Sequence, residues 1–284
     1  VNKSAERLEV VRTFSSRLGL PTVFCILVGG QDELVFDGGS FALDSEGRIV
    51  ARAKQFEEDL LLVDYFDVAG ANDSITHRIE PDLSLEQQAY QALVLGTRDY
   101  VRKNGFKGAV LGLWGGVDSA LVLAIAVDAL GPENVRAVMM PSPYTAAISI
   151  DDAKACAHAL GVRLDHIEIS SLYEQFKASL APVFANMPQD LTEENIQARI
   201  RGTLLMAISN KTSALVLATG NKSEIAVGYC TLYGDMAGGF AVIKDVFKGL
   251  VYRLCEERNR IAVQKTGAPV IPQRVLTRAP SAEL

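Results

Sequence analysis

The apolar residues follow two rhythms, and the change between them falls near residue 70. After it, short runs that are apolar almost throughout (residues 109–113, 135–140, 164–169 and 214–218) alternate with longer stretches whose apolar positions recur at helical spacing (residues 119–130, 149–160, 171–180 and 193–209). A run that is apolar at nearly every position has no solvent face, so it predicts a strand covered on both sides. Such strands alternating with amphipathic helices predict an α/β fold, a doubly wound parallel sheet. A helix from Ser84, where Ser84-Leu85-Glu86-Gln87 has capping-box spacing, to about Lys103 precedes the alternation and stops at Asn104-Gly105. In sheets of this kind ligands gather beyond the carboxyl ends of the strands, which is where chemistry is expected.

Ahead of residue 70 the apolar runs are shorter and punctuated by Gly and Asp. Residues 22–28, 34–36, 40–43 and 49–51 predict strands in β-hairpins, with turns at Gly29-Gly30, Asp37-Gly38-Gly39 and residues 44–47. Residues 60–66 predict one further strand. Residues 69–83 are polar and non-periodic and predict a linker. The expected organisation is therefore a hairpin-rich segment over 1–68, a linker over 69–83 and a parallel α/β domain over 84–284.

Composition narrows the function classes. Of 284 residues, 49% are hydrophobic and 22% charged, which is globular and not disordered. A net charge of −6 excludes a phosphate-neutralising nucleic-acid surface. No run reaches the roughly 18 apolar residues that span a bilayer, and the first residues lack a signal peptide's apolar core. Val1 is not a start methionine and both ends read as cut. Cys25, Cys156, Cys230 and Cys255 have no CxxC spacing, so they predict mostly buried free thiols rather than a zinc site or a disulfide framework. Cys25 in particular falls inside an apolar strand run and is expected to be buried and inert. His77, His158 and His166 are isolated and predict surface or structural roles.

The candidate chemistry lies in Gly112-Leu113-Trp114-Gly115-Gly116-Val117-Asp118-Ser119, where the first buried strand runs straight into a helix. Glycines there let backbone amides crowd around an anion at the positive end of the helix dipole. The loop is neither a Walker A loop nor a dinucleotide fingerprint. A bare Gly-Gly pair would be explained as a tight turn, but Asp118 beside a phosphate is costly unless a cation bridges them. Together these residues point to phosphate plus Mg²⁺.

Gly115-Gly116-Val117-Asp118-Ser119 resembles the pyrophosphate loop of the N-type ATP pyrophosphatases. Glu194-Asn195-Ile196-Gln197-Ala198-Arg199-Ile200-Arg201-Gly202, Leu217-Ala218-Thr219-Gly220-Asn221-Lys222-Ser223-Glu224, Tyr233-Gly234-Asp235-Met236-Ala237-Gly238-Gly239 and Arg278-Ala279-Pro280-Ser281-Ala282-Glu283-Leu284 resemble further signatures of NAD synthetases, in the same order. Val28-Gly29-Gly30-Gln31-Asp32-Glu33-Leu34 to Gly38 is similar to the late part of the nitrilase-type glutaminase domain of glutamine-dependent NAD synthetases. The glutaminase Glu, Lys and Cys of that family belong before Val1.

The resemblance implies ATP-dependent amidation of deamido-NAD through an acyl adenylate, with ammonia from glutamine in the intact enzyme, in a cytoplasmic homo-oligomer. It implies that Gly112, Leu113, Trp114, Gly115, Gly116, Val117, Asp118 and Ser119 hold the phosphates, that Thr219 and Ser281 contact ATP, and that Asp118 and Glu224 hold Mg²⁺, a hard cation suited to paired carboxylates. Asn195, Arg199 and Glu224 match positions that bind deamido-NAD, and Lys248 matches a lysine that reaches the phosphates. Read without the resemblance, Glu193-Glu194 and Arg199 to Arg201 have two equal readings, one of them the solvated face of a helix. Two departures stand out: Trp114 occupies the family's serine position, where its bulk is expected to obstruct the pyrophosphate, and Phe247 precedes Lys248 where the family tends to have proline. The family's late lysine lies beyond Leu284. Two rival readings are a catalytically silent fragment or decayed paralogue, and another N-type ATP pyrophosphatase amidotransferase.

Overall fold

The computed structural model describes residues 3–64, 78–185 and 187–278. The chain divides into two compact units, Val1–Tyr100 and Val101–Leu284.

The first unit opens with helix α1 (Lys3–Leu18), which sequence periodicity did not predict. Leu8 and Val11 of this helix pack with Phe24, Phe41, Leu43 and Ile49. Those residues belong to a three-stranded antiparallel sheet of β1 (Thr22–Phe24), β4 (Phe41–Leu43) and β5 (Ile49–Arg52), in the order β1-β4-β5. A separate hairpin joins β2 (Val28–Gln31) to β3 (Leu34–Asp37). The single strand expected over residues 22–28 is thus broken after Phe24. The Ile26 N–H there donates to Ser40 Oγ at 2.9 Å instead of to a neighbouring strand, which lets the chain leave one sheet and enter the other. Cys25 falls in this break and is exposed, correcting the expectation of a buried strand thiol; Cys230 is exposed too, while Cys156 and Cys255 are buried.

The strand expected over 60–66 does not form in residues 60–64, whose Leu60 and Leu62 are exposed. An apolar run makes a strand only where a neighbour completes its hydrogen-bond ladder. Tyr65 and Phe66 lie outside the described residues, as do residues 69–77 of the expected linker. Helix α2 (Leu85–Lys103) begins with the capping box as read: the Gln87 N–H donates to Ser84 Oγ at 3.2 Å and the Ser84 N–H to Gln87 Oε1 at 3.0 Å.

The second unit is built on a five-stranded parallel sheet in the order β10-β9-β6-β7-β8, comprising β6 (Ala109–Gly112), β7 (Val135–Met139), β8 (Arg163–His166), β9 (Leu215–Ala218) and β10 (Phe240–Ala241). The expected pairing of the runs near 109 and 214 is present: Ala109 lies opposite Leu215 and Val110 opposite Val216. Every residue of β6 and β9 is buried, as a sheet covered on both faces requires. Helix α3 (Val117–Leu130) is apolar nearly all round because it too is buried, packed against β6, β7 and helix α8 (Lys248–Thr266). Helix α4 (Ala147–Ala159) packs against β7 and β8, and helices α5 (Ser170–Phe184) and α6 (Leu191–Thr212) bury Tyr173, Ile196, Ile200 and Leu205 against Val110, Val138 and Val216. From β6 the chain runs outward to β8, then returns through α6 to β9 on the other side of β6. The carboxyl ends of β6 and β9 therefore flank the topological switch point, where doubly wound sheets hold ligands.

Candidate functional site

The loop after β6 is shaped by its glycines. Gly115 has φ +74°, a left-handed conformation, and a Cβ on it would lie 2.3 Å from the Ser149 carbonyl oxygen. Only glycine fits. Gly116 is the N-cap of α3 and gives its first turn no side-chain hydrogen bond, and a Cβ on it would meet nothing within 4 Å. Leu113 and Val117 are buried and fix the two ends of the loop in the core. Ser119 is buried as well; its hydroxyl donates to Gly116 O at 3.1 Å and accepts from the Trp114 N–H at 3.3 Å, bracing the loop from within.

Across the switch point stands a charged cluster. Asp118 Oδ1 accepts from Asn221 Nδ2 at 2.9 Å, and its Oδ2 pairs with Lys248 Nζ, which lies 3.9 Å from Glu224 Oε1. Asn221 is the fully buried N-cap of helix α7 (Lys222–Ala226), in a reciprocal capping box with Glu224. The Lys248 backbone N–H donates to Ser223 Oγ at 3.0 Å, so α7 and α8 are aligned at their starts. Burial pushes the Glu224 carboxyl above its ordinary range, and the Asp118 charge adds to this; the Asn221 amide and Lys248 work against both.

Two carboxylates against one ammonium leave the cluster short of positive charge. Among the described residues no three His, Cys, Asp or Glu side chains converge as a metal cage. Asp118 and Glu224 present two carboxylates, hard oxygen donors of the kind that Mg²⁺ takes.

A cavity of about 250 Å³ opens beside the loop. Gly112, Leu113, Trp114, Gly116, Asp118, Ser119, Thr219 and Glu224 line it, so most of the residues expected around ATP converge on one space. Lys248 reaches this group through Asp118. Asn195 and Arg199 are not among the lining residues. Instead, Asn195 Oδ1 accepts from Thr231 Oγ1 at 2.8 Å and Arg199 Nε donates to Leu232 O at 3.3 Å, so both tie α6 to the loop after α7. Ser281 lies outside the described residues.

Ser149 and Tyr229 also line the cavity and fell in none of the motifs singled out from the sequence, whereas Asp235 and Arg278 lay within such motifs with no role assigned to them. Asn221 could be read locally as a helix cap, as it is. Arg201 departs most from its local reading. Expected on a solvated face, it is 6% exposed; its Nε donates to Met140 O at 3.2 Å and its guanidinium lies 4.9 Å from the centre of the Trp114 ring. That ring lies over Gly112, where a Cβ would come within 2.4 Å of its Cζ2, and packs against the core cluster. The indole is laid back from Gly116.

A glycine loop feeding a helix N-terminus, faced by two carboxylates and a lysine at the switch point, defines a parallel α/β domain of the adenine nucleotide alpha hydrolase-like class. The chain belongs to the NAD synthase family, whose model matches residues 89–284. It is 49% identical to a glutamine-dependent NAD(+) synthetase of Acinetobacter baylyi, over the whole chain and 51% of that protein, and 49% identical to one from Synechocystis, over 98% and 49% respectively. The structure is similar to that of a glutamine-dependent NAD⁺ synthetase from Acinetobacter baumannii in complex with ADP, at 48% identity and TM-score 0.90, covering 99% of this chain and 52% of that one. An NMN synthetase from Francisella tularensis matches at 28% identity and TM-score 0.62, over 71% of this chain and 77% of its own. The chain spans about half the length of the curated relatives it matches.

Proposed function

We propose that the protein to which this chain belongs makes NAD by ATP-dependent amidation of deamido-NAD. The nicotinate carboxylate attacks the α-phosphorus of ATP and pyrophosphate leaves; ammonia then attacks the acyl carbon and AMP leaves. The observation that carries this reading is the convergence of Asp118, Glu224 and Lys248 on the loop at the switch point. Loop amides at the start of α3 bind the departing pyrophosphate, and the Lys248 ammonium, already oriented by Asp118, balances its growing negative charge. Mg²⁺, held by Asp118 and Glu224, would supply further charge neutralisation. Thr219, at the end of β9, is placed to contact the nucleotide, and Ser281 is a further ATP contact.

Asn195 and Arg199 recognise deamido-NAD from α6, next to the loop that they brace. The names of the relatives support glutamine as the nitrogen source, and residues 1–68 are read as the close of a nitrilase-type glutaminase domain. We read the enzyme as a cytoplasmic homo-oligomer on the family resemblance alone. Among the described residues no helix is long and apolar enough to cross a membrane.

The test is NAD formation from deamido-NAD, ATP–Mg²⁺ and either glutamine or free ammonia by the whole protein and by Lys248→Met. Loss of both activities in the folded variant is expected, because the lysine acts before the nitrogen source enters. Retention of the ammonia-dependent rate would refute the assignment. Failure of the unaltered chain to bind ATP–Mg²⁺ in a calorimetric titration would favour the silent-fragment reading.

A further inference from the structure

The first two turns of α4 hold a short helix near the end of the described chain, α9 (Gln273–Thr277), through side chains outside every motif considered so far. Asp152 of α4 is 1% exposed. Arg274 Nε and Nη2 lie 2.9 and 2.7 Å from its Oδ1, while its Oδ2 is buried with no hydrogen-bond partner among the described residues. One turn earlier on α4, Ser149 Oγ accepts from Nη1 of Arg278, the C-cap of α9, at 2.9 Å. Five residues are too few to hold a helix by their own hydrogen bonds. Val275 buries part of α9, and the ion pair ties it to α4. That tie is strong, because parting the pair would leave a buried carboxylate uncompensated.

The same seam reaches the cavity. Ser149 and Arg278 line it, whereas Asp152 and Arg274 do not. The Ser149 carbonyl oxygen is also the atom that a Cβ on Gly115 would strike, so this turn of α4 backs the glycine loop. Helix α4 thus holds the loop and Arg278 in one register, and Asp152 secures the helix that delivers Arg278.

We propose that Asp152 is a positioning residue for nucleotide binding: through Arg274 it seats α9, so that Arg278 stands at the cavity beside the glycine loop. The inference rests on the reading that this cavity takes ATP. Asp152 itself does not line the cavity. It sets the fraction of molecules in which α9 is in place, and apparent affinity falls with that fraction.

Calorimetric titration with ATP–Mg²⁺ would compare the unaltered chain with Arg274→Gln, Arg274→Lys, Asp152→Asn, the double variant Asp152→Asn/Arg274→Gln, Arg258→Gln and Lys248→Met, each checked for folding by its melting curve. The Arg274 side chain is 50% exposed, so its replacement opens no cavity in the core. Arg274→Gln should weaken binding about threefold to tenfold, the effect of seating α9 in a third to a tenth of the molecules. Arg274→Lys should recover part of the loss, since the charge remains and the planar fork is gone. Asp152→Asn should lose as much as Arg274→Gln, and the double variant no more than either, because both act through one pair. Arg258→Gln breaks an ion pair with Asp128, of 2.7 and 2.9 Å, whose two residues do not line the cavity, and should bind like the original. Amide exchange over residues 273–278 should accelerate in Arg274→Gln and slow again at saturating ATP–Mg²⁺, because binding selects the seated helix.

Unchanged affinity in folded Arg274→Gln overturns the proposal, and so does an equal loss in Arg258→Gln or a larger loss in the double variant than in either single one. If Arg274→Gln does not fold, Arg274→Lys decides: weaker binding with faster exchange over 273–278 supports the proposal, and any other result overturns it. Loss of affinity in Lys248→Met with none at Arg274 or Asp152 would leave the nucleotide reading standing and remove this one. Absence of ATP–Mg²⁺ binding by every form would remove both.

Discussion

The two units differ in how completely their strands are buried, although β4 of the first is buried throughout and β8 of the second is exposed at both ends. In the unit from Val101 onward, β6 and β9 are buried at every position and α3 at nearly every one. In the unit up to Tyr100, β1 has Val23 exposed at its centre, β3 begins with two exposed residues, and Val10, Phe14 and Leu18 of α1 are exposed along one side of the helix. The first kind of unit is held by apolar burial that leaves no room for rearrangement. The second depends on polar fasteners: Arg7 grips Asp37 with two hydrogen bonds of 2.8 and 2.7 Å, and Asp44 accepts from the Glu46 and Arg48 backbone and from the Arg48 side chain. The candidate chemistry sits in the apolar unit. A half-buried carboxylate–lysine cluster keeps its geometry only where the backbone around it cannot relax, and its electrostatics are then less diluted by water than on an open surface.

The sharpest way to break this contrast is to shorten an apolar side chain in each unit. Leu121→Ala, at a fully buried position of α3, should destabilise the second unit by about 2–5 kcal/mol. Val23→Ala, at a position 68% exposed, should cost less than about 0.5 kcal/mol. Urea unfolding followed by circular dichroism measures both, and equal losses would mean that the difference in burial does not set the difference in stability.

A second comparison concerns glycines of similar backbone conformation. Gly19 (φ +62°) has no atom within 4 Å of the place a Cβ would take, so Gly19→Ala introduces only left-handed strain of roughly 1–2 kcal/mol. Gly115→Ala adds a collision with the Ser149 carbonyl oxygen and should cost clearly more, with weakened ATP–Mg²⁺ binding in addition. Comparable melting temperatures for the two variants would show that the loop after β6 can shift.

The smallest expected effect is in acid. Burial raises the Asp44 carboxyl, but the Arg48 side chain and the Arg48 and Glu46 amides outweigh it, so its pKa in the folded chain lies below the ordinary 3.8. A lowered folded pKa contributes stability that is complete above the unfolded value and is lost as the pH falls through the folded one. Amide exchange in β4 and β5, corrected for its intrinsic pH dependence, should therefore accelerate below about pH 4 in the original chain, more steeply than in Asp44→Asn. An identical pH profile in both would remove Asp44 as the fastener of that turn.

Legibility followed the same division. Runs at 109–113 and 214–218 could be read because burial on both faces makes every position apolar, and they became Ala109–Gly112 and Leu215–Ala218. The run at 22–28 misled because its break is made by a side chain 14 residues from Ile26, the hydroxyl of Ser40, which no local pattern reveals. Helix α1 was hidden by its exposed apolar residues, and α8 by the buried Asn259 that interrupts its stripe of Val251, Leu254, Cys255 and Ala262. Asn259 is there to satisfy a turn, accepting from the Val270 and Ile271 amides and donating to the Ile271 carbonyl.

Local pattern was enough for the parallel α/β unit and for the glycine loop at the head of a buried helix, because periodicity, capping and turn chemistry act over a few neighbouring residues; the other candidate site residues were named by the resemblance to NAD synthetases. Which of those candidates meet was a matter of packing. Asp118 reaches Asn221 across 103 residues of chain and Lys248 across 130, and it does so because strand order places the ends of β6 and β9 side by side. The same packing turned Arg201 from an apparent surface charge into a buried cation on Trp114, and left Asn195 and Arg199 off the cavity wall, bracing the loop after α7. Charge and residue type are local properties; desolvation and distance are set by what the rest of the chain brings alongside.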